Sequence, residues 1–442
     1  MKRGTSHLAR RRLGTLCCVG ALAAIAVAAS SSTASSSTGK SSSAGKLAIV
    51  DFNPFTGPDA SYGPYDMAGC LPAVRLINMA GGVLGHELTC KPVDTRGDPA
   101  DAVPAARQFL AATSNLVAVL GPSSDEATAI VPIINQAKIP MFADTGQAAF
   151  DHSTFPYFWR NEPADDDTGY AMAIFAHRLG FKRAAAIFGS NQAAQGTLPT
   201  VLKAFPKLGG SIVINEELAA GQPSYEVEVE RMLAAKPQVI FTEADPQTTA
   251  TFLAELQQLS HLIPIIGSGA TQLAPWFSAV SKAISPQALS KSYVGAPVVD
   301  AASSGAAWRA FMSSLLAANV PQAHLYLTDP TAQARYDAVN VIALAMLAAN
   351  STDPVKLNQK ILAVTAPRPG AVVVPTFAAG KAALKAGKSI QYVGPTGPEL
   401  FNRWHNTSGG FTVLRWTPAG HTTSAGAVSA AQVHAMQIAT AG

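Results

Sequence analysis

The stretch Asn78-Met79-Ala80-Gly81-Gly82-Val83-Leu84-Gly85-His86 decides the fold class, because it joins a helical segment to a strand. Upstream, Met67, Cys70, Leu71, Val74 and Ile77 recur at helical spacing over Asp66–Asn78. Downstream, Glu87–Val93 reads as a strand. Gly81 or Gly82 supplies the left-handed residue that ends a helix, and Gly85 lets the chain reverse tightly. Any α/β protein can use such a turn, so its meaning depends on what surrounds it.

The same alternation runs outward from the turn. Lys46–Asn53 is an apolar run that predicts the first buried strand. A helix near Ala100–Thr113, a strand at Leu116–Leu120, a helix near Ala127–Gln136 and a strand at Ile139–Phe142 complete a first set. A second set begins with a helix over Asp167–Leu179. It continues through strands Ala184–Phe188, Ser211–Ile214, Val239–Thr242, Ile263–Ile266 and Ser292–Val298. Near-continuous apolar strands separated by helices predict parallel sheets covered on both faces, and two such sets predict two similar lobes. A long helix over Thr331–Asn350, another over Pro354–Val364 and a closing strand at Phe411–Trp416 follow. The expected division is 46–161 with 297–394 as the first lobe, and 162–296 with 395–442 as the second.

Composition agrees with a globular protein. The chain has 442 residues, of which 48% are hydrophobic and 14% charged, so it can bury a large core and is not a disordered polyelectrolyte. The formal charge is +4, yet Lys2, Arg3, Arg10, Arg11 and Arg12 stand within the first 29 residues with no acid beside them. Without that segment the charge is −1, which gives no electrostatic reason to expect nucleic acid as a partner. Those basic residues precede an apolar run, Leu13–Ala29, followed by small residues, so 1–29 reads as a secretory signal peptide. Cys17 and Cys18 sit too early in the apolar run for lipidation, and ordinary export is expected. Residues 30–45 form a serine-rich linker, read either as a tether or as a leftover of processing. Cys70 and Cys90 are then the cysteines of the exported domain, and an oxidising compartment makes a disulfide between them the expectation.

Around the glycine turn lie Thr56-Gly57-Pro58, Tyr62-Gly63, Asp94, Gly97-Asp98-Pro99 and Leu120-Gly121-Pro122-Ser123-Ser124. Ala379-Gly380-Lys381 and Tyr392-Val393-Gly394-Pro395-Thr396-Gly397-Pro398 follow much later. In this order, from about Lys46 to Trp416, the series resembles the branched-chain amino acid-binding branch of the solute-binding proteins of ABC importers. The resemblance implies the type I periplasmic binding protein fold, two Rossmann-like lobes joined by several hinge crossings. It also implies an extracytoplasmic monomer that captures a small polar solute between its lobes and hands it to a membrane permease and ATPase. A module of the same fold that senses a ligand and signals to a membrane partner is the alternative. The family's usual disulfide does not map here, since Arg96 stands where one of its cysteines is expected.

The resemblance also implies site residues. The Ser123-Ser124 loop ends a strand and opens a helix, where free backbone N–H groups and hydroxyls suit a carboxylate. Both serines are candidates, with helix capping as the bland reading. Thr145, Gly146 and Gln147 form the next strand-end loop, which in the family contacts the amino acid. Tyr62 and Tyr336 match cleft tyrosines, and either equally suits a scaffold role. On the second lobe the pattern departs. No tyrosine follows Ile187-Phe188, and Gly267-Ser268-Gly269-Ala270 lacks the acid that pairs with an ammonium. Glu243 and Asp245 are the nearest replacements, because a buried ammonium without a counter-charge is strongly unfavourable.

Catalytic readings find no support. No metal-binding histidine pair, no phosphate-binding loop and no nucleophile elbow are present, and no cofactor is called for. Asp165-Asp166-Asp167 stands before a helix, where acids are favoured by capping and by the helix dipole.

Overall fold

The computed structural model describes residues 44–440 apart from 58, 61, 300–302 and 408. The expected signal peptide and nearly all of the serine-rich linker therefore lie outside the described residues. Five strands form the first sheet: β1 (Ala44–Asn53), β2 (His86–Asp94), β3 (Leu116–Ser123), β4 (Met141–Asp144) and β5 (Phe158–Arg160), in the order β2-β1-β3-β4-β5. All pair in parallel. The second sheet is built on β6 (Arg183–Gly189), β7 (Ser211–Leu218), β8 (Val239–Glu243), β9 (Ile265–Gly267) and β10 (Tyr293–Val299). These strands are also parallel, in the order β10-β9-β8-β6-β7. After β10 the chain returns to the first sheet. There β11 (Val372–Val374), β12 (Ile390–Gly394) and β13 (Gly397–Pro398) make a small satellite sheet. The chain then crosses again to add β14 (Phe411–Trp416) and β15 (Thr422–Val428), antiparallel, at the β10 edge.

Each large sheet is covered on both faces. On the first, Leu47, Ile49 and Leu120 pack under the Tyr62–Met79 and Pro330–Ala349 helices, while Val50, Phe52 and Val119 pack under the Pro99–Ala112 and Ser124–Gln136 helices. Two further clusters cover the second sheet in the same way. Parallel strands buried on both faces have no polar face to show, which is why they read as continuous apolar runs.

The opening turn is built as its glycines require. Gly81, Gly82 and Gly85 all have positive φ, and a Cβ on Gly82 would lie 2.1 Å from the carbonyl oxygen of His86. Lys381 Nζ donates to the carbonyls of Ala80 and Gly82, each at 2.8 Å, so the turn is clamped by the distant Phe377–Lys385 helix. Cys70 and Cys90 form a disulfide that ties the first helix to β2.

Several elements depart from the sequence reading. The helix expected from Asp167 begins at Asp165, so all three aspartates lie in its first turn, not ahead of it. Pro354–Val364 divides into two short helices, Pro354–Asn358 and Ile361–Thr365. Residues after Trp416 add β15 and the Ala430–Thr440 helix. Thr396 and Asn406, which the sequence reading grouped with the second lobe, hydrogen-bond to Asp337, Phe150 and Asp151 of the first-sheet layer.

Candidate functional site

The strands of both sheets end at one cavity of about 130 Å³. Its floor and walls come from the loops after β3, β4, β8 and β9, together with the start of the Asp165–Arg178 helix. Ligands of parallel sheets bind at the carboxyl ends of strands, where loops and helix N-termini converge. At about 10–15 Å³ for each water-sized group, the cavity suits a solute of roughly ten non-hydrogen atoms.

Ser123 and Ser124 both line the first wall but perform different tasks. Ser123 is the N-cap of the Ser124–Gln136 helix, in a capping box with Glu126. Its hydroxyl donates to Glu126 Oε2 at 2.8 Å, and Glu126 Oε1 accepts from the Ser123 amide at 3.3 Å. Burial pushes the Glu126 carboxyl up to about 7 against the pull of the Ser123 and Thr95 hydroxyls. Ser124 donates instead to Thr145 Oγ1 at 3.1 Å. Thr145 Oγ1 also accepts from the Gln147 amide at 3.3 Å, so its own proton is free to be donated into the cavity. The hydroxyl pair Ser124–Thr145 and the helix N-terminus make this wall a donor for a ligand oxygen.

Three expected contacts lie elsewhere. Gln147 does not line the cavity; its Nε2 donates to the Ser124 carbonyl at 2.7 Å and fastens one strand-end loop to the next. Tyr336 is fully buried on the other side of its helix, 5.3 Å from the Phe311 ring, and belongs to the core. Asp245 caps the Pro246–Leu259 helix, accepting from Gln247 N and Thr248 N at 3.0 Å, and faces an outer recess, not the inner cavity. Tyr62 opens its helix, and its side chain lies outside the described residues.

Glu243 stands at the end of β8 and lines the opposite wall, only 9% exposed. Burial pushes its carboxyl up to about 7, the Ser268 and Thr197 hydroxyls draw it back, and the charge of Asp125 adds to the rise. Thr197 Oγ1 donates to Glu243 Oε2 at 3.4 Å. Beside it is Asp165, which the sequence reading assigned to helix capping. The true N-cap is Ala164, without a side-chain bond. The Asp165 carboxyl is wedged between Gly146 and Gly196. A Cβ on either glycine would come within 2.0 Å of one of its oxygens. Burial raises the Asp165 carboxyl well above its ordinary range, and the charge of Glu243 raises it further.

A second missed residue is Arg335, one position from the tyrosine that drew attention. It is completely buried, and pairs with Asp66 at 3.1 Å, Asp144 at 2.8 Å and Glu162 at 2.8 Å. Its Nη1 also donates to Asn161 Oδ1 at 2.8 Å. Burial disfavours its charge, but these three acids outweigh that and hold it protonated. It thus fixes the floor at Asp144 and Glu162 without entering the cavity.

The two sheet layers also meet at the cavity mouth. Asn191 Nδ2 reaches Asp59 Oδ1 at 3.3 Å, and the Ala193 amide donates to Asp125 Oδ1 at 3.0 Å. Among the described residues, no group of three His, Cys, Asp or Glu is placed to hold a metal ion.

The sequence profile described as "Periplasmic binding protein" matches residues 46–427. The chain belongs to this family. This periplasmic binding protein is 27% identical over 199 residues to the leucine-, isoleucine-, valine-, threonine- and alanine-binding protein of Pseudomonas aeruginosa, across 42% of the chain and 51% of the relative. It thus spans about half the length of such relatives. Solved structures align over far more of it. The branched-chain amino acid transporter substrate-binding protein LivJ of Streptococcus pneumoniae, in complex with isoleucine, matches 87% of this chain and 99% of its own, at 16% identity and a TM-score of 0.69. An ABC transporter solute-binding protein of R. palustris, in complex with benzoate, matches 87% and 97%, at 17% identity and a TM-score of 0.67. These likenesses show the fold. The family and its neighbours are binding proteins, not enzymes.

Proposed function

We propose that this chain is the extracytoplasmic receptor of an ABC importer, capturing a small polar solute of amino-acid size for a membrane permease and ATPase. The observation that carries this is the cavity at the strand ends of both sheets, walled by hydroxyl and N–H donors on one side and by Glu243 on the other. A carboxylate would sit at Ser124 and Thr145, and an amino group would face Glu243. Contacts across the mouth, from Asn191 to Asp59 and from Ala193 to Asp125, are those a closing hinge would make and break. Closure is stabilised only to the extent that the solute contacts the closed state better than the open one. Export by the N-terminal signal fits this role, and no helix among the described residues is long and apolar enough to cross a membrane.

A thermal-shift screen of amino acids, amides and small carboxylates tests the reading. A solute at 100 times its dissociation constant adds about 2.7 kcal/mol of stability. For a unit of about 400 residues that raises the melting temperature by roughly 3 °C. Ser124→Ala weakens a carboxylate-bearing solute while leaving the Ser123 cap in place. If no solute in the screen raises the melting temperature, the receptor reading fails.

A further inference from the structure

Three buried polar atoms on residues of the cavity wall lack a hydrogen-bond partner in the protein: Asp144 Oδ2, Asp165 Oδ2 and Gln272 Oε1. The two carboxyl oxygens accept once ionised, and the amide oxygen accepts always. The Gln272 assignment is fixed by its other end, since Nε2 donates to Tyr293 Oη at 2.8 Å and to the Leu414 carbonyl at 3.2 Å. Buried polar groups are normally satisfied, so a wall whose unmet needs are all for donors is shaped for a donor-rich ligand.

Charge points the same way. Among the described residues no Lys, Arg or His lines the cavity, whereas six acids do. Asp144 and Glu162 pair with Arg335, Asp125 accepts from the Ala193 amide and Asp329 from the Ala332 amide, which leaves Asp165 and Glu243. The cation nearest Asp165 is Arg160, which is committed to Asp151 Oδ1 at 2.6 Å and the Gln147 carbonyl at 3.2 Å. Arg335 is already outnumbered by its own three acids. One acid answers the single ammonium of a neutral amino acid, and here two acids remain outside the Arg335 cluster and the backbone caps. Outside, the recess of about 580 Å³ leading from the mouth carries Asp59, Asp98, Asp101, Asp125 and Asp245 against Arg96 alone. Arg96 itself pairs with Asp101 at 3.4 Å. Such a rim concentrates cations and repels anions.

We propose that the solute is a small organic cation with net positive charge, a diamine or a diamino acid, whose ammonium groups are gripped by Asp165 and Glu243. The inference rests on the receptor reading above and names the cargo's charge class. An ammonium brings three donors and no acceptor, which matches the orphaned atoms of the wall. Gly146 and Gly196 are small because the Asp165 carboxylate occupies the space their side chains would fill.

Isothermal titration calorimetry on the protein with lysine, ornithine, putrescine and cadaverine, against leucine and benzoate, decides the matter. At least one cation should bind ten-fold or more tightly than leucine and benzoate. Asp165→Asn and Glu243→Gln should each weaken that cation by ten-fold or more. Binding of diamino acids but not diamines places a carboxylate at Ser124 and Thr145, and the reverse removes it; either supports the charge class. Asp165 titrates among Glu243, Asp151, Asp166 and Arg160, and Glu243 near Asp125. Cation affinity of the unaltered protein should therefore rise from pH 5.5 to 8 with release of protons on binding, a result that stands even if a variant does not fold. Leucine or benzoate binding more tightly than every cation overturns the charge class and leaves the receptor reading intact, as does a folded Asp165→Asn variant with unchanged cation affinity. If no compound in either group binds and the wider screen is also silent, both readings fall.

Discussion

Replacing Arg335 by Met keeps most of the side-chain volume but removes the charge that pairs with Asp66, Asp144 and Glu162. Arg335 ties together the first helix, the end of β4, the chain beyond β5 and the Pro330–Ala349 helix. Breaking a buried pair from one side costs about 3–5 kcal/mol, because the stranded charge must be neutralised or left unpaired. Unfolding entropy near 2.1 cal/mol/K per residue gives about 0.8 kcal/mol/K over roughly 400 residues, so a loss of about 4 kcal/mol lowers the melting temperature by about 5 °C. Differential scanning calorimetry at pH 7.5 measures this directly. Burial already pushes Glu162 up to about 8 and raises Asp66, so the stranded acids take up protons readily. The loss should therefore shrink at pH 5. A variant that melts within about 1 °C of the parent at pH 7.5, or one whose loss grows on acidification, refutes the argument.

Cys70→Ser with Cys90→Ser opens a 20-residue loop, which chain entropy values at about 3 kcal/mol, and should lower the melting temperature by about 4 °C in calorimetry without changing solute affinity. The empty protein should melt at a higher temperature at pH 5.5 than at pH 8. Carboxyls that burial raises to about 7 or 8 (Asp59, Glu162, Glu243, Asp329, Asp337, Glu399) keep their protons in the folded state after the unfolded chain has lost them, so stability falls as pH rises through that window. A melting temperature that climbs steadily over this range contradicts the burial assignment. Gly146→Ala should abolish binding in the thermal-shift assay, since its Cβ would lie 2.0 Å from Asp165 Oδ1 and 2.8 Å from the Asp165 amide.

Most of the scaffold was legible because it depends on one-dimensional signals. Buried parallel strands leave apolar runs, and the turn at Gly81–Gly85 leaves glycines that its positive φ angles demand. The donor wall was partly legible for the same reason, since Ser123-Ser124 follows a strand and starts a helix. Sequence could not divide the two serines, because the choice depends on Glu126 one turn later and Thr145 on another strand. Asp165 was misread because three acids in a first helical turn are ordinarily dipole partners. What sets it apart is the pair Gly146 and Gly196, one before it in the chain and one well after, and neither announces the contact. Tyr336 was favoured over Arg335 by resemblance, yet one residue is about 100° around a helix. The turn that carries Arg335 toward the acids carries Tyr336 into the core.

The acids of this site are costly to keep where they are. Asp165 is buried against the charge of Glu243, and Glu243 against that of Asp125, with few donors to offset the loss of water. In an empty cavity at neutral pH Asp165 holds its proton and Glu243, raised to about 7, holds one part of the time, which makes them poor partners for a cation until the protons leave. A cation that enters must displace those protons, so its apparent affinity includes the work of ionising the pair. That work falls as external pH rises, which is why cation binding and the stability of the empty protein should respond to pH in opposite directions. A neutral amino acid asks only one acid to ionise and would show a shallower dependence. The slope of affinity against pH therefore counts the carboxylates that meet the solute, and a slope near two protons per unit cannot be supplied by Glu243 alone.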